Sequence, residues 1–155
     1  MGYVIDDLLL VEDNPADAEL TIYTLQKNGM AGSIRVLEDG KEALDYLFCQ
    51  GKYQDRRATD RPRLILLDLK LPKVEGLEVL KAIRGDNRTR SIPVVIHTSS
   101  KEQKDLSEGY LRGASAFVQK PVDFDKFRQS ILDIGSFWLR VNEPPPAEAF
   151  PCLPS

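Results

Sequence analysis

The chain has 155 residues and a net charge of −3, from 24 acidic and 21 basic side chains, with 42% hydrophobic and 29% charged residues. At that length a single domain is expected, burying roughly 70% of its unfolded surface without a disulfide or metal staple. The acidic balance argues against a nucleic-acid surface. No apolar run approaches the roughly 18 residues of a membrane span, and the N-terminus lacks the basic-then-apolar pattern of a secretory signal. Two cysteines, Cys49 and Cys152, are too few for a disulfide framework, so a cytoplasmic protein is expected. Arg56, Arg57, Arg61 and Arg63 are interrupted by Asp55 and Asp60 and read as a solvated loop.

Strand and helix signals alternate along the chain. Residues 8–12 read as a strand. Asn14-Pro15 then opens a helix, Asn as a favoured N-cap and Pro at the first helical position. Ala18, Ile22 and Leu25 recur at helical spacing, and Gly29 marks the stop. Residues 33–37 form a second short strand, and Asp39 caps a helix carrying Ala43, Leu44, Leu47 and Phe48. Residues 50–61 are polar and aperiodic, hence a loop. Residues 63–68 are the third strand, and Gly76, Leu80 and Ile83 mark one face of the next helix. Residues 92–98 make the fourth strand, residues 101–111 a weaker helix and residues 115–119 the fifth strand. A last helix begins near Asp123, with Phe124, Phe127, Ile131, Ile134 and Trp138 at spacings of three and four. Residues after 143 hold half of the ten prolines and predict an extended tail.

Five strand–helix repeats imply a doubly wound α/β fold, a five-stranded parallel sheet with right-handed crossovers. The order 2-1-3-4-5 is expected. It brings the ends of strands one, three and four together at the switch point, where ligands of open α/β sheets bind. The unbroken run Leu64-Ile65-Leu66-Leu67 suits a strand covered on both faces, and it ends in Asp68. Leu8-Leu9-Leu10-Val11 runs into Glu12-Asp13, Val94-Val95-Ile96 through His97 to Thr98, and Ala116-Phe117-Val118-Gln119 into Lys120-Pro121.

Glu12, Asp13 and Asp68 would then converge. Two like charges about 4 Å apart repel by about 4 kcal/mol at an effective dielectric of 20, so either one carboxyl is protonated or a cation lies among them. An all-oxygen donor set suits Mg²⁺ or Mn²⁺. Such an ion points to phosphoryl chemistry, with a carboxylate as nucleophile and the phosphoryl oxygens neutralised by the ion, Lys120 and the Thr98 hydroxyl.

Val11-Glu12-Asp13-Asn14, Leu67-Asp68 with Pro72 and Gly76, His97-Thr98-Ser99 and Lys120-Pro121 together resemble the motif set of response-regulator receiver domains, over about residues 7–140. The Asn14-Pro15-Ala16-Asp17 helix start, the long loop after the second helix and the Phe137-Trp138-Leu139 ending are most similar to the small stand-alone regulators of phytochrome-type histidine kinases. The resemblance implies a flavodoxin-like receiver fold over residues 1–142, with residues 143–155 as a proline-rich mobile tail and no output module. It implies that Asp68 accepts phosphate from a partner sensor histidine kinase. Glu12, Asp13, Asp68 and the backbone carbonyl of Lys70 would hold Mg²⁺, and Lys120 would pair with the phosphoryl group. Thr98 and Phe117 would form the switch acting on helix four, strand five and helix five. It further implies a phosphoacceptor with at most self-phosphorylation and self-dephosphorylation. It also suggests a homodimer face on helix five, with Ile131, Ile134, Phe137 and Trp138 as candidates. Lys70 and Ser100 stand where the family tunes phosphate lifetime.

Plainer readings exist for each residue. Asp13 and Asn14 could only cap a helix. Thr98 could simply fill a strand end, and Lys120-Pro121 could mark a loop, with or without a cis bond. His97 alternates away from Thr98 and reads as packing under a helix. Phe127, Ile131 and Ile134 are most simply core, whereas Phe137, Trp138 and Leu139 fan around the axis, so at least one is exposed or covered by a partner or the tail. A haloacid-dehalogenase-type phosphatase also uses an aspartate nucleophile, Mg²⁺ and a lysine, but needs an acid two residues after the nucleophile; here that position is Lys70. A receiver-like binding module that is never phosphorylated is the third reading. No Walker loop or Gly-x-Gly-x-x-Gly turn is present.

Overall fold

Each of the five strands lies between polar or proline breaks, and the sheet forms between them. The structure, a computed structural model, describes residues 6–146. The strands β1 (Leu8–Val11), β2 (Ile34–Leu37), β3 (Leu64–Leu67), β4 (Val94–Thr98) and β5 (Ala116–Gln119) are all parallel, in the order β2-β1-β3-β4-β5. Five helices connect or follow them: α1 (Pro15–Lys27), α2 (Gly40–Leu47), α3 (Gly76–Arg84), α4 (Gln103–Leu111) and α5 (Phe124–Gly135). The strand order is the expected one. The strands are one or two residues shorter than the sequence suggested. Glu12 and Asp68 lie just past β1 and β3, and Pro93, which has no N–H to give a ladder, precedes β4.

Alternation along the strands divides the core in two. Leu9, Val11, Ile65, Leu67, Val94 and Ile96 face α2 and α3, meeting Ala43, Leu47, Val79, Leu80 and Ile83. Leu8, Leu10, Leu64, Leu66 and Val95 face α1 and α5, meeting Ala18, Leu25, Phe127, Ile131 and Ile134. Both faces are covered, which is why the central strands read as unbroken apolar runs.

Capping fixes where the helices start. Asn14 Oδ1 accepts from the backbone N–H groups of Ala16 and Asp17 at 3.0 and 3.1 Å, with Pro15 at the first position of α1. Asp39 and Asp123 cap α2 and α5 in the same way, through Glu42 N–H (2.7 Å) and Lys126 N–H (2.9 Å). At the other end of the sheet Asp6 is buried. It accepts from Ser33 Oγ (2.6 Å), Tyr46 Oη (2.6 Å) and Arg35 Nε (3.3 Å), tying β2 and α2 together.

Several expectations require correction. Thr21 and Thr24, rather than Ile22, join Ala18 and Leu25 on the buried face of α1; Ile22 is half-buried. The Thr21 hydroxyl satisfies itself on the Asp17 carbonyl at 2.8 Å. Phe124 continues the period of α5 but lies in its first turn and is exposed. The loop at residues 50–61 contains a 3-10 turn, Gly51–Tyr53. No peptide bond among the described residues is cis, so the Lys120-Pro121 bond is trans. The proposed face on α5 is reduced as well. Ile131 and Ile134 are in the core against the sheet, and Trp138 is packed half-buried beside them. The chain continues from α5 through a π-helical turn, Ser136–Val141, in which Leu139 is buried and Phe137 and Val141 are exposed. Residues 147–155 of the expected tail lie outside the described residues. In the described part, Pro144 and Pro145 line a hollow with Arg61, Pro62, Arg63 and Pro93, and Arg63 donates to the Asn142 carbonyl at 3.1 Å.

Gly76 at the start of α3 sits against the backbone that carries Asp68. A Cβ there would lie 2.3 Å from the Asp68 carbonyl oxygen and 2.6 Å from Leu69 Cα. Gly76→Ala is therefore expected to lower the unfolding free energy by about 1–3 kcal/mol in urea titrations; an unchanged midpoint would show that the β3–α3 turn yields freely.

Candidate metal and phosphoacceptor site

The carboxyl ends of β1, β3, β4 and β5 meet at one edge of the sheet. Asp68 is set by its N–H bond to the Val11 carbonyl (3.1 Å) and Glu12 by its N–H bond to the Leu37 carbonyl (3.0 Å). Glu12 and Asp68 are buried and Asp13 is exposed. One ligand oxygen from each of the three lies within 4.8 Å of the others. Lys120 follows β5, its N–H bonded to the Thr98 carbonyl at 2.7 Å. Its ammonium donates to Glu12 Oε1 (2.5 Å), Asp68 Oδ2 (2.8 Å) and Asp17 Oδ2 (2.9 Å).

The charges shift one another. Burial raises the Glu12 carboxyl, Lys120 opposes this, and Asp68 adds to it, leaving Glu12 pushed up to about 7. Burial also raises Asp68, but the hydrogen bonds and charge of Lys120, with the Lys70 N–H, more than offset it and hold Asp68 below the usual carboxylate range. Lys120 is lowered by burial and raised further by its carboxylate partners, ending above an ordinary lysine. The Lys70 N–H donates to Asp68 Oδ1 at 3.3 Å, and the Lys70 side chain is exposed. No acid occupies the position two residues after Asp68, so a dehalogenase-type phosphatase has no group there to protonate a leaving group.

Thr98 is fully buried, its hydroxyl accepting from Ser100 N–H at 3.3 Å. Ser100 Oγ donates to Asp105 Oδ2 of α4 at 2.5 Å. Phe117 is half-buried, its ring 6.5 Å from that of Tyr110 on α4. Thus Glu12, Asp13, Asp68, Lys120 and Thr98 come from four strand ends to one edge, while Phe117 lies on the neighbouring β5–α4 face. Ile131, Ile134, Phe137 and Trp138 belong to α5 and the turn beyond it. Asp17 was missed from the sequence as a site residue, although it stands in the first turn of α1, just after the Asn14 cap. The clustered ligand atoms are all carboxylate oxygens, a set that fits a hard divalent cation such as Mg²⁺ or Mn²⁺.

The family description "Response regulator receiver domain" matches residues 8–132. The chain is 40% identical to the probable methanogenesis regulatory protein FilR2 of Methanothrix harundinacea (strain 6Ac), over 89% of this chain and 86% of that one. It is 35% identical to the response regulator Rcp1 of Synechocystis sp., over 90% and 93%. The crystal structure of the Mn(2+)-bound form of Rcp1 superposes with a TM-score of 0.84 at 34% identity, covering 90% of this chain and 99% of that chain. The phosphorylated cyanobacterial phytochrome response regulator RcpA superposes with the same TM-score at 34% identity, covering 92% and 99%. The chain belongs to the response regulator receiver domain family. It is a phospho-accepting receiver of two-component signalling, of the kind that works with histidine kinases. No helix among the described residues is long and apolar enough to cross a membrane.

His97 packs under α5 as its strand position required. Its ring lies 5.2 Å from that of Phe127, with Ser130 Oγ 3.4 Å from Nε2. Burial, with the charge of Lys120, pushes it down to about 4. The unfolded chain therefore binds a proton near pH 6.5 that the folded chain refuses until about pH 4. The stability that this residue contributes is full above pH 6.5 and is lost as pH falls through that window. Between pH 7 and 5 the loss is about 2 kcal/mol. Chemical denaturation at both pH values should show wild type losing about that much more than His97→Gln, in which Glu12 still titrates; equal losses would contradict the assignment.

Proposed function

We propose that Asp68 is the phosphate acceptor, and that Glu12, Asp13, Asp68 and the Lys70 carbonyl hold the divalent ion. The observation that carries this is the convergence of three carboxylates and one ammonium on the end of the central strand β3. A carboxylate oxygen of Asp68 attacks the phosphorus of a phosphohistidine. The P–N bond breaks with its electron pair going to the imidazole nitrogen, and an acyl phosphate remains. Bound Mg²⁺ or Mn²⁺ would neutralise charge on the phosphoryl oxygens. Lys120 pairs with the same group, and its ammonium keeps the acceptor carboxylate ionised.

Thr98 is proposed as the switch hydroxyl. Turning toward a phosphoryl oxygen would cost it the Ser100 N–H bond, and Ser100 is tied to Asp105 on α4. Space left behind would admit Phe117, so the surface of α4, β5 and α5 changes through different contacts in two states. Residues 1–142 form the receiver and residues 143–155 a tail. The protein acts as a phosphoacceptor, with turnover limited to gaining and losing its own phosphate. A phytochrome-type sensor kinase in the cytoplasm is the proposed partner, supported by the likeness to RcpA. Neither a nucleic acid nor a membrane is proposed as a partner.

The phosphorylation test is direct. Incubation with acetyl phosphate and Mg²⁺ should add one labile phosphate by intact mass. Asp68→Asn or a chelator should abolish the gain. A phosphate retained by Asp68→Asn would place the acceptor elsewhere.

A second copy of the chain is proposed to cover the exposed Phe137 and Val141 at the end of α5. Sedimentation should then show a dimer for wild type and a monomer for Phe137→Glu; a monomeric wild type would eliminate that face.

A further inference from the structure

Asp17 lies outside the metal trio, and the Asn14-Pro15-Ala16-Asp17 helix start carried no site role for it, yet its carboxylate reaches Lys120 from a different element. The ammonium of a lysine has three N–H donors. Here one goes to Glu12, one to Asp68 and one to Asp17, at 2.5, 2.8 and 2.9 Å. No donor is left for an incoming phosphoryl oxygen, so some of these bonds must be exchanged during the reaction.

The three partners are not equivalent. Glu12 and Asp68 are buried and are both members of the trio that fits a divalent ion. Asp17 is 28% exposed and outside that trio. Its backbone is held at the start of α1, with its N–H on the Asn14 cap (3.1 Å) and its carbonyl accepting from Thr21 Oγ1 (2.8 Å). Lys120, by contrast, reaches the site on a flexible four-carbon stem.

From this geometry we infer that Asp17 is a positioning residue for Lys120. It keeps the ammonium beside the acceptor once the ion and the phosphoryl group have claimed Glu12 and Asp68, leaving two N–H donors to turn to the phosphoryl oxygens. The role rests on Asp68 being the acceptor, as proposed above. An acid in the first turn of a helix also favours the helix dipole. That effect needs no contact with Lys120 and would act equally whether or not Lys120 were present.

Four proteins separate these roles: wild type, Asp17→Ala, Lys120→Gln and the double variant, each checked for folding by thermal denaturation. Alanine is a good helix former, so α1 should tolerate the change. Phosphate gain from acetyl phosphate with Mg²⁺ is followed by intact mass. Loss of a charge-assisted hydrogen bond should slow Asp17→Ala about tenfold relative to wild type, and Asp17→Glu should recover part of the rate. In the Lys120→Gln background, Asp17→Ala should change nothing further. Equal slowing in both backgrounds, or none beside Lys120, overturns the inference.

A second readout needs no phosphate. The ¹H–¹⁵N signal of the Lys120 ammonium, with Mg²⁺ alone present, should persist in wild type and be lost to solvent exchange in Asp17→Ala. A signal that persists in Asp17→Ala overturns the inference. Phosphate gain by Asp68→Asn would instead remove the acceptor assignment, while the ammonium spectrum would still report on the tether.

Discussion

Burying like charges at the end of a parallel sheet is the constraint that organises this molecule. Glu12 and Asp68 are both removed from water and lie within reach of one another. An uncompensated buried charge costs several kcal/mol, so the arrangement depends on the Lys120 ammonium that bridges them. That ammonium stands 108 positions from Glu12 and 52 from Asp68. The pairing exists only when β1, β3, β4 and β5 are stacked in register. The sheet and the charge cluster therefore specify each other. The ladders bring the acids and the lysine together, and the lysine makes the crowding of the acids tolerable.

The same constraint explains the electrostatic asymmetry of the two buried acids. Each acid has Lys120 and one backbone N–H, Lys70 for Asp68 (3.3 Å) and Asn14 for Glu12 (3.2 Å), yet Asp68 is held below the usual range while burial and the charge of Asp68 push Glu12 up. That division suits the proposed roles, in which the acceptor needs its charge and a carboxylate that would hold the ion could give up a proton to it.

Much of this was readable from residues in order. Buried parallel strands appear as apolar runs, so the polar residues ending each run mark one edge of the sheet; Glu12, Asp68, Thr98 and Lys120 were placed at that edge in this way. Asn14, Asp39 and Asp123 announced their helices because capping is a local interaction. His97 could be placed by alternation alone. What escaped depended on how elements are turned relative to one another. The spacing of Ala18, Ile22 and Leu25 showed that α1 is helical but not its rotation. Packing against Phe127 and Ile131 from α5 sets that, and it buries Thr21 and Thr24 instead of Ile22. The period of α5 likewise could not say that Phe124, in its first turn, is exposed, whereas the plainer reading of Ile131 and Ile134 as core held and Phe137 is the aromatic left outside. Asp17 was hidden for the same reason: its partner lies 103 positions away across α1 and β5.

One element is joined to the rest far more loosely than the others. Within α4 only Gly109 is buried, against Ile96 and Phe117, while Tyr110 and Leu111 are exposed. A helix that sinks a single residue without a side chain has little apolar area anchoring it, so its local opening lies at the cheap end of the range for a domain of this size. Its one buried residue meets the core only through Ile96 and Phe117. Under the proposed switch, a small rearrangement at Thr98 would have only this lightly anchored segment to move, and one scaffold would carry two surfaces.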